Sequence, residues 1–457
     1  NLNRAHSENS FNGGLSSAIY SAIKGTNSVW FGWDGTIVSG EDYTENTKVQ
    51  DTATGIEQGI ISLTVSEYRD HYQGMAGQAL WPLLHALPEK IHFRQKYIYA
   101  NYAVNARLAS AVRGHLRKDD NVWVHDFHLF PLATELRKKG WKGPIGFFLH
   151  TPFPCMDIVR QNPWSIEIFR HLVNYDLVGS QTNGDTERIR AFLSLSNGNV
   201  SEPMPCLGNY PVAIDGKEYL SETQETDIVA ILNPEVMSRK LIIGIDRMDY
   251  IKGIPQKILI LKKMFELYPE LRGQVSLLQV IQPTSRNSYY YQQEGKLIRS
   301  LAAKLNNEFG TEEWRPVMLE HRNCTRAQLV ALFRAAEVCL ITSLNDGMNL
   351  IAKEYVTARG EESGSLVLSR FTGASEYLKT ARIIDPMNQA ESALALMQEL
   401  TGVHTAQRDE NWGRMLKVVR NYKSVDWMQS FVSDLVEARQ NRILYGVRPG
   451  APSMSGL

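Results

Sequence analysis

The chain has 457 residues, 43% hydrophobic and 21% charged, which is ordinary for a globular protein and enough apolar material for two or three domains. Its 49 Lys and Arg balance 49 Asp and Glu. That balance excludes recognition of nucleic acid or membrane through bulk charge and leaves any affinity for anions to local groups. Cys155, Cys206, Cys324 and Cys339 show neither C-x-x-C spacing nor a histidine pattern, so reduced thiols are expected rather than a zinc site. No apolar run reaches the ~18 residues of a membrane helix, and no signal-peptide pattern opens the chain. The expectation is a cytoplasmic protein, with a few residues missing ahead of Asn1.

In chain order, Val122–Val124 reads as a strand, followed by a helix through Leu132–Lys139. Ile145–Leu149 is a strand ending at His150-Thr151-Pro152, and Leu177–Gly179 is another before a helix around Thr186–Phe192. Asp215–Asp227 is polar, without a period, and is assigned as the linker. Beyond it, Leu241–Ile245 is a strand, DRMDYIKGI a loop, and Pro255 opens a helix where the first turn tolerates proline. Strands at Ser276–Val280, Pro316–Leu319, Val338–Thr342, Leu366–Ser369 and Arg382–Ile384 alternate with helices at Tyr291–Phe309, Arg326–Ala336 and Gly347–Ala358. Val425–Arg442 has a helical pattern, and the tail after Arg448 is expected to fray. Continuous apolar strands alternating with helices predict α/β architecture with doubly wound parallel sheets. The predicted domains are residues 1–220, residues 221–425, and a C-terminal helix and tail at 426–457 that packs back on the first.

Ligands of such sheets bind beyond the carboxyl ends of the strands, so residues at strand ends carry the functional reading. In DGMNLIAKE, Asp346 is placed as an N-cap, and Gly347 admits close backbone approach. The amides of Gly347, Met348 and Asn349 then suit a diphosphate at a helix N-terminus. Glu354, on the same expected helix face as Gly347 and about 10 Å along the axis, is positioned for ribose hydroxyls. In DRMDYIKG, Arg247 and Lys252 form a cationic clamp for a diphosphate leaving group. Asp126 in HDFHLF ends a strand and can orient a sugar hydroxyl; His125 and His128 beside it straddle a strand-to-helix transition and do not read as metal ligands. His150 ends the next strand. A G-x-G-x-x-G fingerprint is absent, so hydride transfer loses support. Tyr72 and Trp81 are aromatic groups suited to sugar faces and equally to a core.

Asn3-Arg4, NGGL, WFGW, the Tyr72–Trp81–Pro82 spacing, VHDFHL, IGFFLHTPFP, DRMDYIKGIPQK, PTSR and NDGMNLIAKEY occur in one order from Asn3 to about Pro386. Together they resemble the trehalose-6-phosphate synthases, retaining glycosyltransferases of GT-B type. The resemblance implies two Rossmann-like domains facing a central cleft. It implies transfer of glucose from UDP-glucose to glucose 6-phosphate with retention, no metal or other cofactor, and homo-oligomers.

By motif match, the donor-binding residues are Gly14, His150, Arg247, Lys252, Asp346, Gly347, Met348, Asn349, Leu350 and Glu354. The acceptor-binding residues are Arg4, Trp33, Tyr72, Trp81, Asp126 and Arg286. Asp126, His150, Arg247, Lys252 and Asp346 carry the chemistry. The uracil lies near His321–Thr325. Front-face attack, with the departing diphosphate taking the acceptor proton, requires no general base, so Asp126 is an orienting residue. Asn345 replaces a usual Arg, Phe127 a usual Tyr, and Ser16-Ser17-Ala18 follows Gly-Gly-Leu where another Gly is common. Two readings stand beside this one. The first is a related transferase using glycerol 3-phosphate or a pseudosugar phosphate as acceptor, or GDP- or ADP-glucose as donor. The second is a non-catalytic sugar-phosphate sensor.

Overall fold

The computed structural model describes residues 14–39, 48–51, 56–196, 204–221, 239–284, 288–402 and 406–445. Its contacts divide the chain into two compact units. Among the described residues, one comprises Leu15–Val212 and Ser424–Tyr445, and the other Ala213–Lys423.

In the first unit, β1 (Val29–Val38), β2 (Lys48–Asp51) and β3 (Glu57–Thr64) form a small sheet in the order β1-β3-β2. β1 runs parallel to β3 and β2 antiparallel to it. A second sheet holds β4 (Val122–His125), β5 (Ile145–Phe148), β6 (Leu177–Ser180) and β7 (Cys206–Asn209) in chain order, all parallel. The strands β5 and β6 are buried along their whole length, as parallel strands covered on both faces must be.

The C-terminal helix Ser424–Tyr445 completes this unit. Its Trp427, Phe431 and Leu435 are fully buried, each worth about 1.5–3 kcal/mol relative to exposure. Phe431 lies where β5 and β6 carry glycine: a Cβ at Gly146 or Gly179 would stand 2.5 or 2.8 Å from its ring. Arg137, Arg439 and Arg442 converge on the buried Asp176 carboxylate at 2.7, 3.2 and 3.3 Å. The helix Tyr68–Leu80 is a π-helix carrying Tyr72, and it runs directly into the short helix Trp81–Leu84.

The second unit has one parallel sheet. Its strands are β8 (Lys240–Arg247), β9 (Val275–Gln282), β10 (Val317–His321), β11 (Val338–Ile341), β12 (Ser365–Ser369) and β13 (Arg382–Ile384). They lie in the order β10-β9-β8-β11-β12-β13. Numbered within the unit this is 3-2-1-4-5-6, the Rossmann order. Alternate residues of each strand face opposite cores. Leu241, Ile243 and Ile245 join Leu329, Phe333, Tyr355, Val356 and Trp412 on one face. Ile242, Leu277 and Leu340 join Ile258, Leu261, Phe265, Ile298 and Leu396 on the other. The α/β class with parallel sheets expected from the sequence is therefore present.

Two local expectations are corrected. The assigned linker opens on a short helix, Gly216–Ser221, nucleated by Asp215, whose Oδ1 accepts from the amides of Lys217 and Glu218 at 2.9 and 3.0 Å. The helix expected from Gly347 starts at Leu350.

Candidate functional site

In the Rossmann order, the chain leaves β8 and β11 toward opposite sides, so the loops after these neighbouring strands flank the switch point where ligands bind. The first loop carries Arg247 and Lys252; the second carries Thr342–Asn349. They are tied together at several points. Lys252 Nζ donates to Asp346 Oδ2 at 2.5 Å, with both side chains nearly buried. The Leu344 amide donates to the Ile251 carbonyl at 2.7 Å, and the Thr342 hydroxyl to the Gly253 carbonyl at 2.8 Å. Gly253 has φ +64°, and a Cβ there would stand 2.0 Å from the Thr342 carbonyl oxygen. Only glycine permits this approach.

Asp346 is a hub rather than an N-cap, contrary to the sequence expectation. Its Oδ2 also accepts from the Ser343 hydroxyl and from Asn349 Nδ2, each at 3.1 Å. Asn349 is the cap: it sits at φ +69° and its side-chain oxygen accepts from the Ala352 amide at 3.3 Å. The left-handed backbone, tolerated by Asn, delays the helix by three residues. Gly347 and Met348 therefore belong to the loop, and the first-turn amides without an intrahelical acceptor are those from Leu350 onward. The expected common helical face of Gly347 and Glu354 falls with that start.

Glu354 lies within the helix, 2% exposed, and its Oε2 has no hydrogen-bond partner. Burial raises its carboxyl to about 7, with Arg326 opposing the rise. The Arg326 guanidinium stands over the Tyr219 ring at 5.4 Å. Burial likewise lowers the neighbouring Lys353 ammonium to about 7. Arg247 remains 46% exposed, its Nη2 at 3.5 Å from Asp249 Oδ2. His321 ends β10, and Thr325 forms a capping box with Gln328 at the start of the helix Arg326–Ala335.

In the first unit, Asp126 and His150 meet at the carboxyl ends of β4 and β5. Asp126 adopts φ +75° and ψ 162°, a conformation costing a non-glycine residue about 1–3 kcal/mol. Its amide donates to the Phe148 carbonyl at 2.8 Å, and its Oδ1 accepts from the His150 amide at 3.4 Å. His150 Nε2 lies 3.0 Å from His125 Nδ1, and His150 Nδ1 lies 3.4 Å from Gln181 Nε2. Gln181 Oε1 accepts the Val212 amide at 3.0 Å, which fixes the amide orientation. Gln181 therefore donates to His150, and His150 donates from Nε2 to His125. Burial, aided by His125 and His128, holds the His150 imidazole well below its usual range, and burial takes His125 to about 3. Both rings are neutral hydrogen-bonding groups.

The expected acceptor-side aromatics fall into two groups. Trp33 lies at a bulge in β1 and donates from Nε1 to the Thr36 carbonyl at 2.7 Å. Its ring meets Tyr72 at 4.9 Å and Tyr68 at 5.6 Å. Trp81 is mostly buried and packs at 5.9 Å against Phe127, the residue after Asp126. Behind them His71 Nδ1 lies 3.1 Å from Asn101 Nδ2, and Asn101 and Asn105 both donate to the His128 carbonyl. This buried network ties the π-helix of Tyr72 to the turn after Asp126. Arg4 and Arg286 lie outside the described residues. Gly14 is the first residue of the helix Gly14–Ile23.

Sequence reasoning passed over His125 and Gln181 as supports of His150, Tyr68 beside Tyr72, and Asp249 beside Arg247. Each is an ordinary polar or aromatic residue locally; only its neighbour in space gives it a role. Among the described residues, no three His, Cys, Asp or Glu side chains are clustered as metal ligands, and no helix is long and apolar enough to cross a membrane.

Comparison with known proteins places these features in a family. The model of glycosyltransferase family 20 matches residues 3–437. The alpha,alpha-trehalose-phosphate synthase (UDP-forming) of Schizosaccharomyces pombe is 35% identical over 445 residues, spanning 93% of this chain and 85% of that protein. The solved structure of such a synthase from Burkholderia xenovorans, in complex with glucose-6-phosphate, aligns with a TM-score of 0.86 at 32% identity, over 93% of this chain and 96% of the other. A trehalose-6-phosphate protein from E. coli bound with UDP-2-fluoro glucose aligns with a TM-score of 0.86 at 31% identity, over the same 93% and 96%. With nearly its whole length matched, the chain belongs to glycosyltransferase family 20.

Proposed function

We propose that this chain is a UDP-forming alpha,alpha-trehalose-phosphate synthase, transferring glucose from UDP-glucose to glucose 6-phosphate with retention at the anomeric carbon. The observation that carries the reading is the Lys252–Asp346 link across the β8/β11 switch point, with Arg247 exposed beside it. Two cations and the start of the helix Leu350–Arg359 supply the positive field that a departing diphosphate needs. The glucose-6-phosphate complex and the UDP-2-fluoro glucose complex among its relatives name the matching acceptor and donor.

On this reading Arg247 and Lys252 bind the diphosphate, and the backbone amides of Gly347–Leu350 bind its oxygens; the Asp346 amide is committed to the Phe371 carbonyl at 2.9 Å. Glu354 accepts the ribose hydroxyls. Asp126 and the neutral His150 orient sugar hydroxyls, and their supports keep them fixed: Gln181 and His125 for His150, the strained backbone for Asp126. Tyr72, Trp33 and Trp81 serve the acceptor, with Arg4 and Arg286 gripping its phosphate. Neither His150 nor His125 is basic enough to take a proton at neutral pH, which agrees with the departing diphosphate accepting the proton of the attacking hydroxyl. Charge neutralisation by Arg247 and Lys252 makes a metal unnecessary. The protein acts on small molecules in the cytoplasm, as a homo-oligomer.

The test is the product. Incubation with UDP-glucose carrying carbon-13 at C1 and unlabelled glucose 6-phosphate should give a doubly α-configured 1,1-linked disaccharide phosphate by NMR. A β-configured labelled anomeric carbon, or free labelled glucose alone, would refute it.

A further inference from the structure

The DRMDYIKG loop holds two carboxylates with different surroundings. Asp246, at the end of β8, faces inward: its Oδ2 takes the buried Lys257 ammonium at 2.7 Å and Gln279 Nε2 at 3.1 Å, inside the sheet-helix layer. Asp249 faces the functional loop itself. It is 1% exposed, and a carboxylate so buried must be satisfied by its neighbours.

Those neighbours are informative. Asp249 Oδ2 reaches Arg247 Nη2 at 3.5 Å and accepts from the Tyr291 hydroxyl at 3.3 Å. Oδ1 accepts from the Ile251 amide at 3.4 Å, capping the 3-10 turn Tyr250–Lys252. The Asp249 carbonyl accepts from the Lys252 amide at 3.0 Å. One side chain thus touches the guanidinium, starts the turn that presents the ammonium, and is held by the first turn of the helix Tyr289–Phe309. The Tyr291 ring packs in turn on Tyr250, with centroids 5.1 Å apart.

We propose that Asp249 is a positioning residue of the diphosphate clamp, fixing Arg247 and Lys252 relative to one another before the donor arrives, a role that rests on the diphosphate reading of those two cations. A flexible Arg side chain loses rotamer freedom on gripping a ligand. The contact with Asp249 restrains the guanidinium and so takes part of that loss out of the binding event, and the capped turn sets the Lys252 backbone. Tyr291 fixes the carboxylate in its turn.

The test uses the full chain and UDP as the probe, with affinity read by titration calorimetry. Asp249→Asn, Arg247→Ala and the double variant form a cycle. Asp249→Asn should weaken UDP roughly 10-fold, leave the glucose 6-phosphate KM within about 2-fold, and leave the urea midpoint unchanged. In the Arg247→Ala background most of that loss should vanish. Tyr291→Phe, a milder change that keeps the loop packed, should weaken UDP about 2- to 5-fold and have no further effect on Asp249→Asn. An equal loss in both backgrounds, or unaltered UDP affinity in Asp249→Asn and Tyr291→Phe alike, would overturn the proposal. A wild type that binds UDP yet transfers nothing to glucose 6-phosphate would overturn the synthase reading alone, with the cycle still decided in UDP affinity. A wild type that binds no UDP would overturn both.

Discussion

Replacing Arg247 by Ala separates chemistry from folding, because the side chain is 46% exposed and its contact with Asp249 is long, at 3.5 Å. Asp249 itself is buried, but the guanidinium is largely solvated, so removing it costs closer to the about 0–1 kcal/mol of a surface pair than to the loss of a fully buried one. Asp249 keeps the Tyr291 hydroxyl and the Ile251 amide as partners, so little desolvated charge is left behind. The expected stability loss is therefore below about 1 kcal/mol, or at most about 4 °C in Tm for a unit of this size. The functional loss is larger. A guanidinium fork on a departing diphosphate makes two charge-assisted bonds of about 1.5–3 kcal/mol each. Their removal lowers kcat/KM for UDP-glucose by about 100- to 10,000-fold. The assay is steady-state UDP release with glucose 6-phosphate in excess, beside a thermal unfolding scan. A kcat/KM within about 5-fold of wild type would refute the diphosphate assignment, and a Tm loss well beyond 4 °C would refute the separation.

Other outcomes follow from the same geometry. Burial raises the Glu354 carboxyl to about 7, so it titrates near neutrality in the free protein. On the proposed role ribose hydroxyls donate to the carboxylate, so donor binding would expel the proton, and UDP affinity should rise from pH 6 to 8 and then level off. Glu354→Gln should flatten that slope; because Lys353 titrates in the same window, a slope that survives the substitution would move the assignment away from Glu354. Lys257→Met leaves Asp246 buried without its cation, and urea unfolding should show a loss of about 3–5 kcal/mol; an unchanged midpoint would remove the pair from the structural account. Gly253→Ala forces a Cβ against the Thr342 carbonyl; purified variant with wild-type UDP affinity would contradict the described approach of the two loops.

The second unit was legible because its parallel strands are covered on both faces. Runs such as Leu241–Ile245 are continuously apolar and end at Gly or charged loops, which marks both their length and their carboxyl ends. Placing Arg247, Lys252 and Asp346 at neighbouring strand ends required only that reading plus the doubly wound topology. The first 120 residues resisted it. β1 and β3 are partly exposed, so these strands carry a mixed pattern. The π-helix Tyr68–Leu80 bonds i to i+5, and its apolar residues miss the 3.6 period. β7, with only Cys206-Leu207-Gly208-Asn209, gives too short a run to register. The cap of the helix after β11 was misplaced because Asp-Gly favours an N-cap locally, while Asn349 accepts the left-handed conformation that closes the loop around Asp346. The support Gln181 was invisible for a simpler reason: its partners His150 and Val212 lie about 31 residues away, a separation no local pattern encodes. Asp249 stands two residues from Arg247, but its burial and its tie to Tyr291 come only from the fold.

The most direct test of the central claim is a nucleotide-release assay. UDP-, GDP- and ADP-glucose are each offered with glucose 6-phosphate, with glycerol 3-phosphate, and without acceptor, in EDTA throughout. The account predicts UDP release that depends on glucose 6-phosphate and is indifferent to EDTA. Release that requires another acceptor or donor, disappears in EDTA, or fails in every combination would contradict it.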